Sequence, residues 1–209
     1  MDIKQVARLL TEFRIPVVFT NNYLEQEHDQ GESYYKVRQN EINNKWEYLF
    51  IRERQNDKRV IASFKDESSA SKYYYLTELR QYFRDHYIQP FELNHKDINI
   101  GEFNFTLENL KEAFQRLNID REYYSLEGNI KEHSIVMKRV SEYESKIKFI
   151  GKNYKEIFTT LVMDNWQAYK TVFQYVYYLF FLDKHTKVLL DEKEITEELS
   201  NNDYDIFLS

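Results

Sequence analysis

Cysteine is absent from this sequence of 209 residues, and proline and glycine are scarce, with 2 and 4 residues respectively. The lack of cysteine excludes disulfides, thiolate zinc sites and thiol redox chemistry, and it is typical of proteins in the reducing cytoplasm. The scarcity of glycine leaves no glycine-rich loop that could bind the phosphates of a nucleotide. The sequence therefore disfavours nucleotide-binding folds.

Motifs for catalysis and for metal binding are missing as well. No Gly-x-Ser-x-Gly pattern marks a nucleophile, and no two of the five histidines share a helical turn. His28, Asp29 and Glu32 lie close together in one polar loop, but their spacing matches no known pattern of metal ligands. The sequence predicts a non-enzymatic protein with no catalytic residue, no metal site and no cofactor.

Long hydrophobic runs are also lacking. The longest apolar stretch, residues 172–182, is interrupted by Gln174 and is shorter than the roughly 20 residues that span a bilayer. The first residues do not form the apolar run of a signal peptide. We therefore expect a cytoplasmic protein without a membrane partner.

Aromatic residues are abundant, with 18 tyrosines and 15 phenylalanines. In residues 34–38 and 46–48 they alternate with charged residues, a pattern that could stack nucleic-acid bases. However, half of the side chains on a strand face the core, and no RNA-recognition signature is present. We interpret most of these aromatic residues as core residues.

Negative charge is concentrated at the end of the chain. The net charge is −6, and residues 191–209 contain one basic and seven acidic residues, so the rest of the chain is balanced. A balanced body disfavours nucleic acid, which requires a basic face, and suits a basic protein partner. The alternative is that the acidic end only keeps the chain soluble. The carboxylates with a predicted partner-binding role are Asp191, Glu192, Glu194, Glu197, Glu198, Asp203 and Asp205.

Apolar residues within the acidic end bear on this choice. Leu199, Tyr204 and Phe207 have no use in a segment that only confers solubility. We expect this segment to dock, either on its own body or on a partner.

The pattern of helices and strands indicates an internal duplication. A helix with apolar residues at 3, 6, 9, 10 and 13 follows Asp2, and the same pattern follows Thr106, 104 residues later. Trp46 and Ile147 occupy matching strands 101 residues apart. Asp66 and Asp164, 98 residues apart, are both predicted to be N-caps of long aromatic helices. The offset falls only in loops, where insertions and deletions are tolerated.

The predicted fold class is α+β, with two tandem α-β-β-β-α units whose helices pack on small antiparallel sheets. We expect a first repeat in residues 1–90, a linker in 91–105, a second repeat in 106–186 and an acidic appendage in 187–209. Within the appendage, residues 187–190 resemble a strand and residues 192–199 a helix. The strands expected in the repeats are residues 16–19, 33–38, 46–51 and 59–64, then 122–125, 134–140, 146–150 and 157–162.

A family resemblance lies in the first half of the chain. Residues 46–54 form a strand that contains Trp46 and Tyr48 and ends in Glu-Arg, and residues 64–73 form a Phe-led, capped helix with an alanine in its first turn. In these features the chain resembles small immunity proteins of bacterial polymorphic toxin systems. The second copy differs, because Ile147 replaces the tryptophan.

The resemblance implies a non-enzymatic inhibitor, an immunity protein or antitoxin, that binds a bacterial toxin and occludes its active site. Because many such toxins are basic nucleases, the expected partner is a basic toxin domain, and exposed aromatic residues near Trp46 and Tyr48 are expected to contribute to the interface. Two alternatives remain open. One is a phage or mobile-element accessory protein that binds a host protein or nucleic acid, and the other is an enzyme whose site forms between the two copies.

Overall fold

Two units make up the chain in the computed structural model, which describes residues 1–209. The first is Met1–Tyr82 and the second is Phe83–Ser209. Each contains helices and a mainly antiparallel sheet, which confirms the predicted α+β class. None of the helices has both the length and the apolar character that crossing a bilayer requires.

The first unit holds five strands in one antiparallel sheet, and each strand pairs with the next along the chain. A helix precedes the sheet and a longer helix follows it, ending at the unit boundary. The elements are α1 (Ile3–Glu12), β1 (Val17–Phe19), β2 (Tyr23–Gln26), β3 (Ser33–Gln39), β4 (Trp46–Arg52), β5 (Asp57–Phe64) and α2 (Glu67–Phe83).

The apolar spacing of α1 explains how it packs. Its core-facing residues are fully buried, and the side chain of Asp2 accepts a hydrogen bond from the amide of Gln5 at 2.7 Å, as an N-cap should. Glu67 at the start of α2 accepts a hydrogen bond from the amide of Ile3 at 2.9 Å, which joins the two helix starts. The buried residues shared by the sheet and helices include Leu24, Val37, Leu49, Tyr74 and Leu79.

The second unit has a sheet of the order β10-β8-β7-β6, with β9 also paired to β8. All its pairs are antiparallel except β6 with β7, which is parallel. The elements are α3 (Gln89–Asn94), α4 (Leu107–Arg116), β6 (Tyr124–Ser125), β7 (Ser134–Arg139), β8 (Glu144–Ile150), β9 (Glu156–Thr159), β10 (Met163–Asp164), α5 (Asn165–Asp191) and α6 (Asn201–Leu208).

The core of the second unit is organised around α5, which is 27 residues long. It packs against β7, β8, α4 and α6. Val172, Phe173, Val176 and Leu179 on α5 are completely buried. Because this helix is covered on several sides, it is apolar over most of its circumference rather than along one stripe.

Two features recur in both units. A β-bulge interrupts the pairing of β4 with β5 between Tyr48 and Leu49, and another interrupts the pairing of β8 with β9 between Phe149 and Ile150, 101 residues later. The long helices α2 and α5 begin 98 residues apart. These offsets equal those expected from the sequence and fit an internal duplication, which stays a prediction.

Several local expectations were wrong. Residues 187–190 belong to α5 rather than to a strand, and residues 192–199 are irregular rather than helical. Residues 91–105 include part of α3, and their role as a linker between two repeats stays a prediction. The short strand β2 was not foreseen. Asp164 occupies the N-cap position of α5, but its side chain makes no capping hydrogen bond, unlike those of Asp2, Asp66 and Thr106.

Candidate partner-binding surfaces

Trp46 and Tyr48, the two aromatic residues proposed as interface anchors, lie in the core of the first unit. Only 6% of Trp46 and 2% of Tyr48 is exposed. The ring of Tyr48 stacks on Tyr35 with centroids 5.3 Å apart, and burial raises the pKa of its hydroxyl far above the usual range. The predicted role of these two side chains in direct partner contact is therefore wrong, because both are buried, and Tyr48 packs against the rings of Tyr73 and Tyr74 of α2.

The exposed large apolar side chains of this sheet lie instead on its two edge strands, Val18 and Phe19 on β1 and Val60 and Ile61 on β5. Val60 is 50% exposed and Ile61 is 43% exposed. Val60 is the direct neighbour of Leu49 across the pair. Sequence patterning missed this because local patterns do not show which strand lies at the edge of a sheet.

The seven predicted carboxylates of the second unit fall into three environments. Asp191, Glu192, Glu197 and Glu198 are exposed, and Glu194 and Asp205 are half-buried. Asp203 is only 4% exposed and accepts hydrogen bonds from the amide and the hydroxyl of Ser200, both at 2.8 Å. Asp203 therefore serves as part of the N-terminal capping box of α6, and its predicted role in partner binding is wrong.

The end of the chain docks on its own unit. Tyr204, Phe207 and Leu208 of α6 are buried, as is Leu199 before it. The hydroxyl of Tyr204 donates a hydrogen bond to Asp183 at 2.7 Å. The side-chain oxygen of Asn201 accepts a bond from the amide of Lys152 at 2.8 Å, so a side chain and a backbone group also tie α6 to the loop after β8. Docking on the chain's own body is thus confirmed.

We call Asp191, Glu192, Glu197 and Glu198 the acidic edge. They lie within residues 191–198, from the exposed last residue of α5 to the residue before buried Leu199. Glu198 is partly neutralised because Lys152 donates to it at 2.5 Å, and this bond lowers the pKa of Glu198. Exposed Lys193 offsets one further charge. Asp191, Glu192 and Glu197 carry most of the remaining negative charge.

A histidine and an aspartate form a polar network beneath α6. His133 Nε2 lies 2.9 Å from a carboxylate oxygen of Asp183, and Tyr204 donates to the other oxygen of the same carboxylate. Burial, followed by the charge of Asp183, raises the pKa of Tyr204 far above its usual range, so this hydroxyl stays protonated. The network anchors α6, since two of its three members belong to the body and the third to the docked helix.

A second surface, the edge groove, lies beside β7 and is also lined by Lys148 of β8 and by Leu126, Glu127 and Gly128 of the segment after β6. Its deeper part is a cavity of about 570 Å³ between Met137, Lys138 and Arg139 on one side and Leu107 and Ile130 on the other. A neighbouring cavity of about 550 Å³ extends it and shares Leu107, Arg139 and Tyr169. The side chains that line the extension include Phe103, Tyr143 and Trp166.

Sequence reasoning did not find the edge groove. Its only signal in the sequence is the pair Lys138-Arg139 at the end of a predicted strand, which is ordinary for an exposed strand end. The groove depends on which segments lie beside β7, and that is a tertiary property.

No group of three or more His, Asp or Glu side chains in the structure is placed to hold a metal ion. No protein-family model, curated protein or solved structure matches the chain.

Proposed function

We propose that this chain is a cytoplasmic, non-enzymatic binding protein, an immunity protein or antitoxin that binds a basic bacterial toxin domain and occludes its active site. The observation that carries the proposal is the acidic edge, a set of carboxylates held in place by a docked helix rather than left on a loose tail. Asp191, Glu192 and Glu197 are the residues proposed to contact the partner.

Preorganisation supports this role. The buried contacts of Leu199, Tyr204 and Phe207 fix the backbone on the C-terminal side of the acidic edge, and α5 fixes it on the other. A segment that is ordered before binding loses less conformational entropy when it binds. A purely solubilising end would not require these contacts.

Charge supports it as well. The chain outside residues 191–209 is balanced, so its negative potential is concentrated at one place. A concentrated patch attracts a partner of opposite charge and raises the association rate, with an effect that weakens as salt increases.

The sharpest test is charge reversal rather than deletion. Removal of residues 191–209 would also remove buried Tyr204 and Phe207 and would damage the core. The double variant Glu192→Lys/Glu197→Lys changes only exposed side chains. The matched control, Glu41→Lys/Glu122→Lys, makes the same change in net charge at exposed sites elsewhere.

We expect the wild type and the control to capture the same basic protein from a lysate of the native cell, identified by mass spectrometry. The reversed variant should bind the purified captured protein at least tenfold more weakly, which corresponds to about 1.4 kcal/mol. Expression of the captured protein alone should stop bacterial growth, and co-expression with the wild type should restore it. Equal binding by the two double variants, or a captured protein that is harmless, would contradict the proposal.

A further inference from the structure

The deeper part of the edge groove is a cavity of about 570 Å³ with mainly apolar walls. Its apolar lining residues come from α4, from the segment after β6, from β7 and from α5, and they are Leu107, Leu126, Ile130, Val136, Met137 and Tyr169. Five of these six are aliphatic. Cavities of roughly 300–1,000 Å³ with apolar walls and a few polar groups are the usual sites for small organic molecules.

The apolar wall reaches from the core to the surface. Val136 and Met137 are only 1% and 4% exposed, whereas Ile130 on the same cavity is 62% exposed. A ligand with an apolar body would remove the exposed side chain of Ile130 from water, which is favourable in proportion to the apolar area covered.

Cationic side chains line the same cavity. Lys138 and Arg139 are exposed, and neither forms an ion pair or a side-chain hydrogen bond within the chain. The third cation, Lys148, is neutralised by an ion pair with Glu156. Glu127 is the single acidic residue of the lining. Two unpaired cations against one carboxylate leave the cavity with one net positive charge.

The register of the sheet adds to this positive charge. Lys138 lies directly opposite Lys146 of β8, and like charges in that arrangement are destabilising. Glu156 is bonded by Lys148 and by the hydroxyl of Thr159, and its charge also acts on Lys146. Lys138 is left without a carboxylate partner. A bound anion would supply one.

The walls and the charge together define a class of ligand. Aliphatic walls favour an aliphatic body, and a single net positive charge favours a single negative charge. The guanidinium of Arg139 presents paired N–H donors that match the two oxygens of a carboxylate. A cationic head group at the same place would be repelled by Lys138 and Arg139.

We infer that the deeper part of the edge groove binds a small aliphatic carboxylate, with its carboxylate at Lys138 and Arg139 and its chain against Leu126, Ile130 and Val136. The inference rests on the second unit alone and does not depend on the function proposed for the acidic edge.

The test uses the full chain and three probes, each below its critical micelle concentration. Decanoate has both the chain and the carboxylate, acetate has only the carboxylate, and decyltrimethylammonium has the same chain with a cationic head. Isothermal titration calorimetry gives the affinities, and amide chemical shifts locate the site. We expect decanoate to bind, with the largest shifts in residues 126–130 and 136–139. Acetate and decyltrimethylammonium should each bind at least about tenfold more weakly.

Variants separate the charge from the apolar wall. Lys138→Glu should weaken decanoate at least about fivefold, because it replaces the unpaired cation by an anion. Lys187→Glu makes the same change at an exposed site of α5 outside the cavity and should leave the affinity unchanged. Ile130→Ser should weaken decanoate about threefold, whereas Ile42→Ser, at an exposed site of the first unit, should not.

Four results would overturn the inference. They are no binding of decanoate, equal affinities for decanoate and decyltrimethylammonium, equal affinities of Lys138→Glu and Lys187→Glu for decanoate, and shifts confined to residues outside the cavity. Should Lys138→Glu lose its folded circular dichroism spectrum, Lys138→Ala takes its place, and the comparison of the three probes on the wild type still decides the matter.

Discussion

Glu78 is a buried carboxyl group in the core of the first unit, with 6% of its surface exposed. The side-chain amide of Gln26 donates to both of its oxygens, at 2.9 and 3.0 Å. Burial raises the pKa of Glu78 to about 7, because the charged form is disfavoured away from water, and the hydrogen bond from Gln26 only partly opposes this effect. The folded chain therefore binds a proton here that an unfolded chain releases at lower pH.

The raised pKa of Glu78 predicts a loss of stability with rising pH. The stabilisation from the proton on Glu78 is fully present below pH 4.5, the ordinary pKa of the group, which we take for the unfolded chain. It is lost as the pH rises through about 7, the pKa of Glu78 in the folded chain, because the unfolded chain ionises more readily over this range. Between pH 4.5 and 8 the free energy of unfolding of the wild type should fall by on the order of 2 kcal/mol relative to Glu78→Gln. Urea unfolding across this range measures it, with exposed Glu41→Gln as control. Parallel profiles for wild type and Glu78→Gln would contradict the assignment.

The starts of the two long helices look equivalent in sequence but are built differently. Asp66 accepts hydrogen bonds from the amide of Ser69 at 2.8 Å and from its hydroxyl at 3.1 Å, and these bonds lower the pKa of Asp66. Asp164 is the last residue of β10 and makes no such bond. At the start of α5 the side chain of Asn165 accepts from Ser145 at 2.7 Å and donates to the carbonyl of Glu142 at 2.8 Å. Asn165, the residue after Asp164, thus fixes the start of α5.

This difference predicts unequal effects of two matched substitutions. Asp66→Ala should lower the free energy of unfolding by about 1 kcal/mol, the usual value for loss of an N-cap. Asp164→Ala should cost a few tenths of a kcal/mol, because only the interaction of its charge with the helix dipole is lost. Chemical denaturation of both variants gives the comparison. Equal losses would mean that Asp164 caps α5 in solution as Asp66 caps α2.

Charge distribution is the property of the whole molecule that bears most directly on its partners. The net charge of −6 arises entirely from residues 191–209, and the remaining residues are balanced. Affinity for nucleic acid depends on cations that displace counterions from phosphates. The short cationic stretch at Lys138 and Arg139 is too small to supply many such contacts.

We therefore expect no stable complex with DNA. A gel-shift titration with a labelled duplex at physiological salt should leave the duplex unshifted up to micromolar protein, and lowering the salt should produce only weak binding. Tight binding at physiological salt, with a steep loss as salt rises, would favour a nucleic-acid partner over the proposed protein partner.

The sequence by itself determined the local elements of this protein. The apolar spacing after Asp2 and Thr106 specified α1 and α4 with their caps, and alternation specified most strands, because these signals depend on neighbouring residues alone. The α+β class follows from these elements.

Only the tertiary structure decided which surfaces are free. Trp46 and Tyr48 became core residues, with Tyr48 packed against Tyr73 and Tyr74 of α2, whereas Val60 and Ile61 stay exposed on the edge strand β5. Residues 187–190 continue α5, and the acidic end docks through Tyr204 and Phe207, since both depend on burial against distant residues. The edge groove is formed by residues from separate elements, including Leu107, Ile130 and Arg139, which only the tertiary structure brings together. Strand neighbours and burial are set by contacts between residues far apart in the chain, and local sequence patterns do not encode them.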